Sequence, residues 1–151
     1  MRNAVRFFLS AFLLAATAAT AADLSLEARL VWGTNDEKGG PNCKPVDAKL
    51  AAKLNGLFKW KSYFEITNQL ASIPLNKTRD LKMSDHCSIR VKNLGGSRVE
   101  VSYIGEGKEV LKESYTLLGS DWKLVGGNCK GETAWFVGLR SEGANKAITK
   151  N

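Results

Sequence analysis

Along most of this chain apolar and polar residues alternate with a period of two. In residues 87–93, Cys87, Ile89 and Val91 fall on one face, and Ser88, Arg90 and Lys92 on the other. In residues 98–104, Val99, Val101 and Tyr103 oppose Arg98, Glu100 and Ser102. Successive side chains of an extended chain point to opposite sides, so one apolar face at this period marks a half-buried strand. SYFEITNQLASI and TRDLKM read the same way, and residues 61–104 become a run of four short strands closed by turns. An earlier strand covers residues 24–32, with Leu24, Leu26, Ala28, Leu30 and Trp32 on one side. Later strands cover residues 108–118, 122–125 and 132–140, the last with Thr133, Trp135, Val137 and Leu139 on one face.

Turn length sets the register between residues 87–93 and 98–104. A two-residue Gly95-Gly96 loop would set Lys92 against Val99 and oppose unlike faces. A three-residue Leu94-Gly95-Gly96 loop sets Val91 against Val99 and Arg90 against Glu100, and is the expected one.

A single helix is predicted over residues 45–56. Val46, Leu50, Leu54 and Leu57 form one stripe, with Pro45 at its start and Gly56 at its exit. Such a stripe has to pack on a sheet. The FKWKSYF segment that follows holds Phe58, Trp60 and Phe64 in the phase of buried positions, so it reads as a helix-to-strand corner plugging the core. The expected core comprises Trp32, Leu50, Leu54, Phe64, Ile66, Ile89, Val91, Val99, Val101, Trp135 and Val137. The class is α+β: an antiparallel meander of about seven or eight strands curled around or packed on one helix, with a β-sandwich carrying one helix as the alternative.

The ends differ from the middle. Arg2 and Arg6, an apolar run from Phe7 to Ala16, and the small residues Ala19-Thr20-Ala21 read as a signal peptide over residues 1–22. The apolar run is shorter than the roughly 18 residues of a membrane span. Residues 23–140 read as one domain and 141–151 as a flexible tail. Loss of the leader takes the 22 basic residues to 20 against 15 acidic, a mild net charge of +5. The expected location is secreted or periplasmic, with no stable membrane insertion after cleavage.

Three cysteines in an oxidising compartment suggest one disulfide and one thiol. Cys87 sits in phase with Ile89 and Val91, while Cys43 and Cys129 lie in the loops GGPNC and GGNCKG, so Cys43–Cys129 is the expected pair.

Catalytic signatures are scarce. His86 is the only histidine, and as the strand neighbour of Cys87 it faces the other way, which precludes a dyad. No CxxC or HxxxH spacing points to zinc, and no GxSxG, HExxH or phosphate loop occurs. No catalytic residue, metal ligand or cofactor is assigned. Arg90, Lys92 and Arg98 share an outward face with Glu100, and Lys82 lies nearby. They read first as a solvated face whose charges block aggregation, and alternatively as a candidate surface for an anionic partner. Trp60, Trp122 and Trp135 are the candidate lining of an aromatic pocket.

The segments FKWKSYFEI, LKMSDHCSIRVKNLGGSRVEV and TAWFVGLR resemble small exported β-rich bacterial proteins of uncharacterised function. The likeness covers most of the mature chain, is one of strands and turns, and implies an envelope or secreted protein. It supplies no catalytic residue. The functional expectation is an exported, non-enzymatic binding or accessory module whose partner is an envelope protein or glycan, with no nucleic acid. A second reading is a small-ligand or glycan binder with an aromatic-lined pocket. A third is a hydrolase with an unrecognised carboxylate pair.

Overall fold

The computed structural model describes residues 22–142, and for residues 127–130 the backbone alone. The expected leader, apart from Ala22, and most of the expected tail lie outside the described residues. In chain order the elements are β1 (Leu24–Thr34), β2 (Lys44–Pro45), α1 (Ala48–Leu57), β3 (Ser62–Ile73), β4 (Thr78–Lys82), β5 (Cys87–Gly95), β6 (Arg98–Gly105), β7 (Lys108–Thr116), β8 (Lys123–Lys130) and β9 (Thr133–Ser141). The class is α+β, antiparallel throughout with one helix, as the periodicity predicts. The strands divide into two sheets: five strands in the order β2-β3-β1-β9-β8, and four in the order β4-β5-β6-β7. Glu142 also donates its N–H to the Ser25 carbonyl, so pairing extends into the first residues of the expected tail.

The five-stranded sheet is covered on both faces. Leu24, Leu26, Ala28 and Leu30 of β1 point at the four-stranded sheet and meet Ile89, Val91, Val99 and Val101 there. On the opposite face Val31, Tyr63, Ala134 and Phe136 pack against Leu50 and Leu54 of α1. Each fully buried Val, Leu or Ile is worth about 1.5–3 kcal/mol, which is why these two stripes set the layering. The sheets are joined at the turn after β3, where buried Asn93 acts as the fastener. Its amide donates to the Ile73 carbonyl, its backbone N–H donates to the Lys77 carbonyl, and its own carbonyl accepts from Asn76.

Two local expectations need correction. The helix begins at Ala48, because Asp47 is its N-cap and accepts from the Leu50 N–H at 3.0 Å. Pro45 instead pairs with Phe64 as part of β2, and Gly56 lies inside the last turn. The β5–β6 register also differs: Val91 opposes Val101 and Lys92 opposes Glu100, with an irregularity between Asn93 and Gly95. Gly96 and Ser97 both have positive φ, 58° and 63°, and form a two-residue turn of the kind that follows strand twist. A shift of two residues keeps the apolar faces together. It breaks up the expected Arg90–Glu100 pair, and Arg90 binds Asp80 while Glu100 binds Lys112.

The cap gives a first prediction. Asp47→Ala should lower stability by about 1 kcal/mol, and the Asp47 pairing with Arg29 adds little because that carboxylate is about half exposed. A urea midpoint unchanged from the parent would show that the cap is idle.

Candidate functional site

Leu30 and Val137 are the last residues of their strands on that face within the inter-sheet core. One step further out the register places three rings side by side, Trp32 opposite Phe64 on β3 and opposite Trp135 on β9. The Trp32 and Trp135 rings are nearly parallel, 6.3 Å between centroids at 26°, and Trp32 and Phe64 are 6.0 Å apart at 38°. Exposure rises along the row: Phe64 is buried, Trp32 is half-buried and Trp135 is 40% exposed. The Gly39 backbone lies over the Phe64 ring, where an added Cβ would come within 2.8 Å. The next register row is hydroxylic, with Thr34 opposite Ser62 and Thr133.

A bulge builds this arrangement. Leu30 pairs with Thr67 but Val31 pairs with Glu65, so Ile66 is an extra residue in β3. Ala71 and Ile73 face the core from odd positions, and after the bulge Phe64 reaches the same face from an even one. The bulge thereby aims Phe64 into line with Trp32.

The opposite face holds a convergence of charge around Glu27. Glu27, only 4% exposed, accepts from Arg29 Nε at 2.6 Å, Arg140 Nε at 2.7 Å and Asn68 Nδ2 at 2.8 Å. Arg29 also reaches Asp47 and Glu65. Both guanidinium groups lie against the Trp122 ring, at 4.9 and 4.5 Å from its centroid. Burial alone would raise the Glu27 carboxyl, but hydrogen bonds and charge from Arg29 and Arg140 outweigh it and hold the group below its ordinary value. Burial likewise raises Asp47, and its bonds to the Leu50 N–H and Arg29 bring it down. Carboxyls held ionised in this way do not serve as general acids at neutral pH. The network ties β1, β3, β9 and the start of α1 together.

The structure separates the expected pocket residues. Trp60 and Trp122 pack on the α1 side of the sheet, whereas Trp135 stands on the other side with Trp32. Trp122 is buried under the two arginines, and Trp60 and Phe58 pack beside Phe136. The expectation that Trp135 is core is corrected: it shares the phase of Val137, but the inter-sheet core ends before it. The surface set Lys82, Arg90, Lys92 and Arg98 does lie on the outer side of the four-stranded sheet, interleaved with acids. Arg90 makes two bonds to Asp80, at 2.7 and 3.1 Å, and Lys82 pairs with Asp85 at 2.7 Å. Only Lys92 and Arg98 of that set carry no ion pair among the described residues.

Cys43 and Cys87 are free thiols. The expected Cys43–Cys129 bond is therefore not formed, and the Cys129 side chain lies outside the described residues. Cys43 precedes β2 at one edge of the sheet, and Cys129 is on β8 at the other. Four inter-strand steps span about 19 Å, far beyond the roughly 4.4–6.8 Å between Cα atoms that a disulfide bridges. Burial pushes the Cys87 thiol up, away from the reactive thiolate. The exposed His86 ring pairs with Glu106 at 3.1 Å. Among the described residues no three of His, Cys, Asp and Glu are grouped as metal ligands, and no helix is long and apolar enough to cross a membrane.

No family model matches this chain, and comparisons with curated proteins and with solved structures found no match either.

Proposed function

We propose that this protein is an exported, non-enzymatic binding module of the cell envelope, and that its contact face is Trp135 with the half-buried Trp32 beside it, backed by the buried Phe64 ring. The observation that carries the reading is the 40% exposure of Trp135 in a ring stack that continues the core face beyond its cover. A large aromatic presents much contact area at low conformational cost, which is why exposed tryptophan concentrates at recognition surfaces. The row sits on the rigid central strands of a five-stranded sheet, so a ligand meets a preorganised surface. The outer side of the four-stranded sheet offers less: Lys82, Arg90 and Lys112 are already paired with acids, and Lys92 and Arg98 are the basic residues left over from the candidate set.

The test is co-sedimentation of the mature chain with the insoluble envelope of the producing cell. The parent chain is expected to pellet, and Trp135→Ala to remain about tenfold more in the supernatant, as loss of one stacked ring implies. Equal pelleting of the two would remove the row from binding.

A further inference from the structure

Taking the row to be the contact face, we infer that its ligand is a neutral polysaccharide chain lying across the strands. Three features on that end of the sheet point the same way. The apolar element is narrow. Its three rings are consecutive across β3, β1 and β9, and only Trp135 is widely open to solvent. A stable contact between copies of the chain needs about 800 Å² from each, and the other exposed large apolar residues do not extend the row. Leu57, Leu70, Leu75, Val110 and Leu118 lie on α1, further along β3, in turns or on β7, and none is in register with it. With Phe64 buried, the accessible part is Trp32 and Trp135 side by side across two strands, one residue wide, and it suits a ligand that is itself narrow.

The second feature is charge. Exposed charges in the segments that leave this end are of both signs: Asp36, Glu37 and Glu132 stand against Lys38, Lys44, Lys59 and Lys61. A single-stranded nucleic acid would also stack on aromatic rings, but it requires a continuous cationic track for its phosphates. The third is the pair of partly exposed hydroxyl residues Ser62 and Thr133, which flank the buried Thr34 in the row beside the rings. Sugar rings carry an apolar face of C–H bonds, which the negative face of an aromatic ring attracts, and a rim of hydroxyls that pairs with polar groups alongside.

The experiment uses the same sedimentation assay on envelope stripped in steps, first by exhaustive proteolysis and then by detergent and solvent extraction, leaving polysaccharide. The parent chain should still pellet with the fully stripped material, Trp135→Ala should lose about tenfold in binding, and Trp135→Tyr, which keeps a stacking ring, should retain most of it. If the Trp135→Ala difference holds on untreated envelope but parent binding disappears with proteolysis, the ligand is a protein. If it disappears with solvent extraction, it is a lipid. Either result overturns the polysaccharide assignment and leaves the contact face standing. Equal binding of parent and Trp135→Ala at every stage overturns both.

Discussion

Val91→Asp leaves the chain from Asp23 onward without a cooperative fold in buffer at room temperature. Val91 is fully buried between the sheets, paired with Arg79 on β4 and Val101 on β6. The substitution removes an apolar side chain worth about 1.5–3 kcal/mol and puts a carboxylate among apolar neighbours, while the guanidinium of the cross-strand Arg79 is exposed and bound to the Ser72 carbonyl. An unpaired buried charge costs several kcal/mol even after its protonation equilibrium shifts. Together these approach the roughly 5–15 kcal/mol that hold a typical domain. Circular dichroism on heating is the check: a normal melt near the parent midpoint would place Val91 outside the core.

Glu27→Ala should cost about 3–5 kcal/mol, the range for removing one partner of a buried ion pair. It leaves Arg29 and Arg140, both largely buried, without their shared carboxylate. By contrast, Asp80→Asn on the exposed sheet face should cost under about 1 kcal/mol. The same network sets the acid limb of stability. The Glu27 carboxyl is lower in the folded state than in the unfolded chain, so its contribution is complete above the ordinary glutamate value, about 4.3. It is lost as pH falls through the lower folded value. Urea titrations of the parent should therefore show a falling midpoint below about pH 4, and Glu27→Gln should flatten that fall while starting from a lower midpoint at pH 7. A Glu27→Gln variant as stable as the parent at pH 7 would mean the network contributes nothing.

Eight of the nine strands and the helix were legible because alternation and the Leu50–Leu54 stripe are local signals. The split into two sheets was legible only as the alternative, a β-sandwich carrying one helix. It depends on the turn after Ile73 and on Asn93 reaching across it, a long-range contact with no periodic trace. Period two also misled where a strand is buried on both sides. In β9 the phase of Val137 predicted a buried Trp135, and nothing local told where the second sheet stops. The Ile66 bulge reversed the phase of β3, so the link between Phe64 and Trp32 was invisible before the register was known. Glu27 and Arg29 alternate with the leucines of β1 on the side where charge usually meets solvent; their burial needs Arg140 and Trp122 from the far end of the chain. The Asp47 cap, by contrast, was readable: Asp directly before a periodic apolar run is a start signal, and Pro45 drew attention two residues too early.

The proposed contact face is decided by which tryptophan meets the ligand. Fluorotryptophan incorporated at the four positions gives one fluorine resonance each for Trp32, Trp60, Trp122 and Trp135, assigned by single Trp→Phe variants. On titration with soluble fragments of the stripped envelope polysaccharide, the Trp135 resonance should move most and Trp32 next, while buried Trp122 on the other face stays still. A titration in which Trp60 or Trp122 moves and Trp135 does not would contradict the account, and so would one in which no resonance moves.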